Sequence, residues 1–405
     1  MTFDRTNGGA RSLPILMLMT GVAERTLRIG IVGFGWMGQV HARAYARLRQ
    51  HYLDAPLQPI LVAVADNAQD GRLDQAIRAF GFEDLHADWQ DLVAREDIDA
   101  VSITGPNFIH RDVAVAAAEH GKHIWVEKPA GRHVAETAEI RDAVRAAGVQ
   151  SAAGFNYRNA PAVELAKKLI ADRRLGAIEQ VTIRLLADYA AHPQGALTWR
   201  FDNTLAGSGV LGDLVSHGVD LARYVVGEIT ELACDTAIFV PERPQVSGPA
   251  SHFSRGRGPL GTVENEDYVS ALVRFAGGAR GVLESSRAAV GEQCTYLIEV
   301  HGERGALAWD FRRMGELQLC LGQDYQNASY ATYYVAPGDG DLGLFQPGSG
   351  IAMGFDDLKV IEAHHFLRSI ATGSPVGATI EDAVRAAELV AAMAESARER
   401  RWVQV

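Results

Sequence analysis

The sequence predicts an α/β chain in two parts: an N-terminal doubly wound parallel sheet, then a C-terminal α+β domain built on a large, mostly antiparallel open sheet. Three observations carry this. In residues 27–43 an apolar run leads into Gly33-Phe34-Gly35-Trp36-Met37-Gly38 and then into a helical pattern. From there to about residue 154, short apolar runs alternate with helix-length amphipathic segments, the pattern of parallel strands joined by helical crossovers. Beyond residue 156, consecutive strand-like segments are separated by glycine-containing turns, of which Ala276-Gly277-Gly278 is the clearest.

Taken in order, strands are expected at residues 29–32, 59–65, 100–104, 123–126 and 150–154, with helices at 70–80, 89–95, 109–120 and 137–147. The second part opens with a helix at 162–172 and a half-buried strand at 181–186, whose side chains alternate in polarity. Further strands are expected at 232–239, 267–275, 279–287, 294–301, 305–310 and 317–321. Residues 241–261, rich in Pro, Gly and Ser, read as a surface loop, and 323–354 as an irregular stretch long enough for a lid or an oligomer contact. Helices at 357–371 and 380–398 follow. The domain limits drawn from this are a flexible extension at 1–26, a nucleotide-binding domain at 27–154 and a substrate domain at 155–405.

The glycine spacing has a physical use at each position. Gly33 permits the tight turn out of the first strand, Gly35 lets a pyrophosphate approach the main chain, and Gly38 lets the helix pack closely on the sheet. The helix beginning at Trp36 and Met37 then presents free N–H groups to the phosphates. At the end of the second strand stands Asp66, suited to accept both hydroxyls of an adenine ribose and to repel a 2′-phosphate. It follows Gly38 by 28 residues, more than the usual ~20, and the polar segment 47–58 absorbs the excess. The reading is a Rossmann-type domain for NAD, with NADP less favoured.

The chain has 405 residues, an average apolar content and a net charge of −11, which argues against nucleic acid or an anionic membrane as partner. Its three cysteines, Cys234, Cys294 and Cys320, lie far apart, which suits a reducing cytoplasm and frames no zinc site. The apolar residues 13–19 are too few to span a bilayer, and at the lower limit for secretion. They read as part of a flexible extension.

Ligands of a doubly wound sheet bind beyond the carboxyl ends of its strands. Two loops there stand out: Thr104-Gly105-Pro106-Asn107-Phe108-Ile109-His110 and Glu127-Lys128-Pro129. In the second part, residues 213–226 have helical periodicity, which makes Asp213 and His217 neighbours one turn apart, with Asp220 a turn further on. A carboxylate beside an imidazole can fix its tautomer and raise its basicity, as a general base needs. The same pattern suits a helix cap beside a satisfied buried histidine, and the segment alone leaves both open. No third ligand is spaced for zinc.

Taken together, Gly33 to Gly38, Pro106-Asn107 with His110, Glu127-Lys128-Pro129, Asn156-Tyr157-Arg158 and Asp213 through His217 to Asp220 resemble the glucose–fructose oxidoreductase/inositol dehydrogenase (Gfo/Idh/MocA) family. The resemblance covers nearly the whole chain after Leu27. It is strongest toward the levoglucosan and cyclitol dehydrogenase branch, through Leu197 to Phe201, Ala206 to Gly209, Ala222-Arg223-Tyr224, Pro241 to Pro244 and Ile361 to His364.

The resemblance implies an NAD-dependent oxidation of a secondary hydroxyl on a sugar, anhydrosugar or inositol-type ring. By residue, it implies that Lys128 hydrogen-bonds the reacting hydroxyl and stabilises the developing oxygen. His217 exchanges the proton, oriented by Asp213. Thr104, Pro106, Asn107, His110 and Glu127 join the glycine loop and Asp66 around the cofactor. Asn156, Tyr157, Arg158, Trp199, Arg200 and Asp220 are the candidates for substrate hydroxyls, since each buried ring hydroxyl needs a partner. A homodimer or homotetramer is implied as well. Two departures stand out: Gly105 where many relatives carry Thr, and Val215 where relatives often carry a smaller residue. Competing readings are an NAD-dependent glycosidase or lyase that recycles its cofactor, and a cofactor-binding regulator without catalysis.

Overall fold

The computed structural model describes residues 25–405 except residues 69, 70, 249, 252 and 323. The extension expected at 1–26 therefore falls almost wholly outside the described residues. Strands β1 (Thr26–Val32), β2 (Gln58–Ala65), β3 (Asp84–His86), β4 (Ala100–Ile103), β5 (His123–Val126) and β6 (Ser151–Ala153) form one sheet in the order β3-β2-β1-β4-β5-β6. Every pair in it is parallel. Helices cover both faces, so the strands are continuous apolar runs: Ile29, Ile31, Val62, Val64, Val101, Ile103, Ile124 and Val126 are all buried. Chain order reverses between β1 and β4, which opens a crevice at their carboxyl ends. The expected helices are present at Arg72–Phe80, Trp89–Val93, Asn107–Glu119 and Val134–Ala147. β3 has no counterpart among the expected strands, because three residues are too few to show a period.

The second sheet is assembled from β7 (Ile178–Leu186), β8 (Ile229–Ala237), β11 (Tyr268–Phe275), β12 (Arg280–Ser286), β13 (Thr295–Gly302), β14 (Gly305–Asp310), β15 (Glu316–Leu321), β16 (Ala331–Tyr334) and β17 (Val403–Gln404). Its order is β16-β15-β14-β13-β7-β12-β11-β8-β17. All neighbours are antiparallel except β7 and β12. A separate two-stranded ribbon, β9 (Glu242–Pro244) with β10 (Leu260–Thr262), closes the segment expected as a loop. Helices Pro161–Ala171, Ser216–Val225 and Ile380–Glu399 pack on one face of the large sheet. Thr379 begins the last of these with a capping box, its side chain accepting from Glu381 while Asp382 reaches back to the Thr379 amide. The opposite face presents Leu272 and Val282 to solvent, 52% and 46% exposed. No helix among the described residues is long and apolar enough to cross a membrane.

Helix Phe355–Thr372 returns to the first sheet and packs along helix Trp36–His51. At that contact lie four buried ionisable side chains. The Glu127 carboxylate meets Nε2 of His41 at 3.0 Å and the Lys359 ammonium, which also stands 2.9 Å from Glu362. The His41 ring stacks on Trp125 at 3.7 Å, and the Trp125 indole donates to Glu362 at 3.3 Å. Burial alone would raise Glu127, but Lys359 and His41 hold it below the usual carboxylate range. Burial pushes Glu362 up to about 7, so the fully buried lysine chiefly compensates Glu127.

Replacing it, Lys359→Met, is expected to destabilise the fold by about 3–5 kcal/mol, the cost of an unpaired buried charge. Chemical unfolding would read this, and an unchanged midpoint would count against the pairing as a structural tie.

Candidate active site

The glycine loop is shaped by close approach. Gly33 leaves β1 at φ +87°, and a Cβ there would lie 2.5 Å from the backbone of Gly105. A Cβ on Gly38 would be driven into the Gly33 carbonyl oxygen. The Thr104 hydroxyl, at the end of β4, binds that same carbonyl at 2.6 Å. Gly105 has its own reason, since a side chain would strike Cδ1 of Ile109 at 2.5 Å. Gly35 caps helix Trp36–His51 without a side-chain bond, so the first-turn N–H groups have no side-chain cap. Asp66, just beyond β2, accepts from the Phe34 amide at 2.6 Å and the Ala68 amide at 2.8 Å. The cradle fits a pyrophosphate, and the carboxylate beside it fits a ribose diol. Met37 is half-buried, while Trp36 is exposed and stacks on Phe355 at 5.3 Å.

The next loop joins the two sheets. Pro106 opens helix Asn107–Glu119, and the Asn107 amide donates to the Ala206 carbonyl at 3.0 Å. Both ring nitrogens of buried His110 lie 2.9 Å from carbonyl oxygens, those of Gly105 and Pro129. His110 was expected to touch the cofactor. Its ring has no nitrogen left to do so, and instead it sets the Gly105 loop against the Lys128–Pro129 loop. Glu127 is similarly engaged elsewhere: its carboxylate is held by His41 and Lys359.

Lys128 follows β5 and precedes a cis peptide bond to Pro129. Its ammonium donates to Asp213 twice, at 2.6 Å to the carbonyl and 2.9 Å to the carboxylate. Residues 211–215 form a π-helical turn rather than the expected start of an α-helix, and helix Ser216–Val225 continues from it. In this geometry the Asp213 carboxylate goes to Lys128 and to the Tyr189 hydroxyl, not to the imidazole. The expected orientation of His217 by Asp213 is replaced by packing. His217 is buried, with the rings of Phe155, Tyr157 and Tyr296 around it at 5.9, 4.8 and 6.2 Å. Gly218 allows this placement, since a Cβ there would meet Leu185 of β7 at 2.6 Å. Burial, and next the Lys128 charge, lower the His217 pKa well below 6.5, so the imidazole is neutral at neutral pH.

Of the substrate candidates, Tyr157 stands against His217 and lies 4.5 Å from Tyr296. Asn156 is buried with its amide nitrogen unpartnered. Trp199 carries the Arg200 guanidinium on its face at 4.3 Å and meets Phe108, from the first sheet's loop, edge-on at 6.0 Å. Arg158 and Asp220 are otherwise placed. The guanidinium holds Asp220 through Nε at 2.6 Å and through Nη2, and Asp382 at 2.9 Å, all largely buried. Satisfying each other, they brace helix Ser216–Val225 rather than await a hydroxyl.

Sequence reasoning missed Tyr189, which holds Asp213, and Tyr296, Phe311 and Phe355, which complete the aromatic wall around Tyr157. Tyr296 is an inward position of an expected strand. Only the register of β13 on β7, which pairs it with Leu185, shows which surroundings it enters. A primary amine, a carboxylate and a neutral imidazole thus converge beyond the carboxyl ends of the first sheet, next to a pyrophosphate cradle. That set can polarise a hydroxyl and move its proton.

Comparison with known proteins agrees. Residues 27–155 match the model of an oxidoreductase family with an NAD-binding Rossmann fold, and residues 163–308 match the GFO/IDH/MocA C-terminal domain. The chain is 37% identical to levoglucosan dehydrogenase of Pseudarthrobacter phenanthrenivorans over 94% of its own length and 98% of that protein. It is 26% identical to inositol 2-dehydrogenase of Rhizobium meliloti, over 94% and 99%. A structure of levoglucosan dehydrogenase with NADH and levoglucosan superposes with a TM-score of 0.88 at 35% identity, covering 94% of this chain and all (100%) of the other. The chain belongs to the Gfo/Idh/MocA family of NAD-binding oxidoreductases.

Proposed function

We propose that the protein oxidises a secondary ring hydroxyl of an uncharged sugar, anhydrosugar or cyclitol to a ketone, with NAD as acceptor. The observation that carries this is the Lys128 ammonium, held by Asp213 over the same aromatic pocket that keeps His217 neutral. In this reading Lys128 donates to the reacting oxygen and stabilises its developing charge, and His217 takes the hydroxyl proton. Bound NAD supplies the hydride acceptor. Gly33, Gly35, Gly38 and Thr104 would hold its phosphates, and Asp66 its adenine ribose, which disfavours a 2′-phosphate. Asn156, whose buried amide nitrogen lacks a partner, would meet a ring hydroxyl, and Tyr157 and Trp199 would face the ring.

Two of the cations near the pocket are already paired, which favours an uncharged substrate, while Arg200, on the face of Trp199, would meet ring hydroxyls. Lys128 is paired with Asp213, and Arg158 with Asp220 and Asp382. The likeness to a levoglucosan dehydrogenase supports anhydrosugars as the first candidates to test. The open face of the large sheet, with Leu272 and Val282, fits a second copy of the chain, and the three free cysteines fit a reducing compartment.

A panel of anhydrosugars, pyranoses and inositols with NAD is expected to accumulate NADH, read at the nicotinamide absorbance, while the corresponding phosphate esters stay silent. Preferred turnover of a phosphate ester would sink the uncharged-substrate reading. Lys128→Ala should lower kcat by about 10²–10³-fold with NAD affinity retained, and near-normal turnover would refute the role given to Lys128.

The pH dependence has a definite sign. Oxidation needs the free imidazole, and a depressed pKa frees it below pH 6.5, so kcat/KM should be flat through neutrality and fall only on acidification. His217→Ala should remove that acidic limb. Stability falls in the same direction, because below pH 6.5 the unfolded chain takes up a proton that buried His217 refuses.

A further inference from the structure

Arg243, in β9, is fully buried, and among the described residues it forms no ion pair. Its neighbour in the same small core, Arg287, is neutralised by Asp267 at 2.8 Å and bonded to Asn265. Arg243 has only carbonyl oxygens. Nη1 donates to His192 at 3.1 Å and Nη2 to Ala190, the plane lies 4.3 Å from the centre of the Phe201 ring, and Nε has no partner. Burying a guanidinium on such terms is costly, and an apolar side chain of similar volume would be as stable or more so. The two gripped carbonyls belong to the segment that leaves β7, and Gly195 in that segment makes room for the grip, since a Cβ there would stand 2.7 Å from Nη1. The residue directly before Ala190 is Tyr189. Its hydroxyl donates to the Asp213 carboxylate, whose other oxygen takes the Lys128 ammonium. Burial and the Asp213 charge raise the Tyr189 pKa, so the phenol keeps its proton and remains the donor.

We infer that Arg243 is a positioning residue for hydroxyl oxidation: it fixes the segment carrying Tyr189, Tyr189 holds Asp213, and Asp213 aims Lys128 at the reacting oxygen. This gives the Pro241 to Pro244 segment a reason to carry an arginine without an ion pair among the described residues. It also makes Tyr189 a second support for the lysine, acting through the carboxylate.

The inference rests on the dehydrogenase reading above, and the test separates the two. In the full-length protein, Arg243→Met and Tyr189→Phe are each expected to lower kcat by about tenfold or more, with the KM for NAD unchanged. The double variant should be no slower than the slower single one, because both changes release the same carboxylate. Arg243→Lys, which keeps the charge and can reach one carbonyl, should recover part of the loss. Should Arg243→Met fail to fold, the cycle is run with Arg243→Lys and Tyr189→Phe. A second readout needs no substrate: acetylation of Lys128, followed by peptide mass spectrometry, should be faster in both variants than in the parent chain. Wild-type turnover in Arg243→Met, an additive loss in the double variant, or unchanged Lys128 labelling overturns the inference. A parent chain silent toward every member of the sugar panel tells against the dehydrogenase reading instead.

Discussion

One ion pair joins the two halves of the chemistry. Lys128 comes from the end of β5, and Asp213 from the π-helical turn that leads into the helix of His217. Neither side chain is sealed from water, at 16% and 27% exposure, so the pair itself adds little to stability. What it does is geometric. The ammonium grips the Asp213 main-chain carbonyl as well as the carboxylate, so the first turn of that helix and the lysine are set together. Everything else at the site serves this arrangement: His110 fixes the loop behind Lys128, Gly218 seats the helix on β7, and Tyr189 takes the second carboxylate oxygen.

The first sheet was largely legible in the sequence, because a strand buried on both faces is an apolar run that needs no partner to be recognised. The glycines were legible for the same local reason: each answers a contact within its own turn or the adjacent strand's loop. The lysine and histidine stood out only through their joint pattern with the rest of the chain. What local pattern could not show was where polar side chains point. Asp213 and His217 look like a one-turn pair, yet the extra residue in the π-turn swings the carboxylate toward Lys128. Arg158 and Asp220 look like hands for a sugar, yet they clasp each other. Tyr189 and Phe355 reach the site by tertiary routes with no local signature, one from the exit of β7 and the other from a helix more than three hundred residues beyond Trp36, on which it stacks.

Buried charge is used in two ways here. Around Glu127 and Lys359 it is matched, one ammonium to one carboxylate, while burial pushes the neighbouring Glu362 up to about 7, and the result is a tie between a strand end and a distant helix. Around Arg243 it is unmatched, and the guanidinium serves as a fork holding two carbonyls. The first kind of burial resists separation of the parts. The second defines the conformation of a segment that has little apolar surface of its own to anchor it.

The return of helix Phe355–Thr372 to the first sheet has an evolutionary corollary. Residues 25–153 carry the whole nucleotide cradle, yet the ammonium that balances their innermost carboxylate arrives from position 359. A recombinant that spliced this cradle onto a foreign C-terminal half would inherit an acid sealed in oil with only the His41 imidazole to meet it. A C-terminal half compatible with this cradle is therefore expected to bring a cation to the place Lys359 occupies.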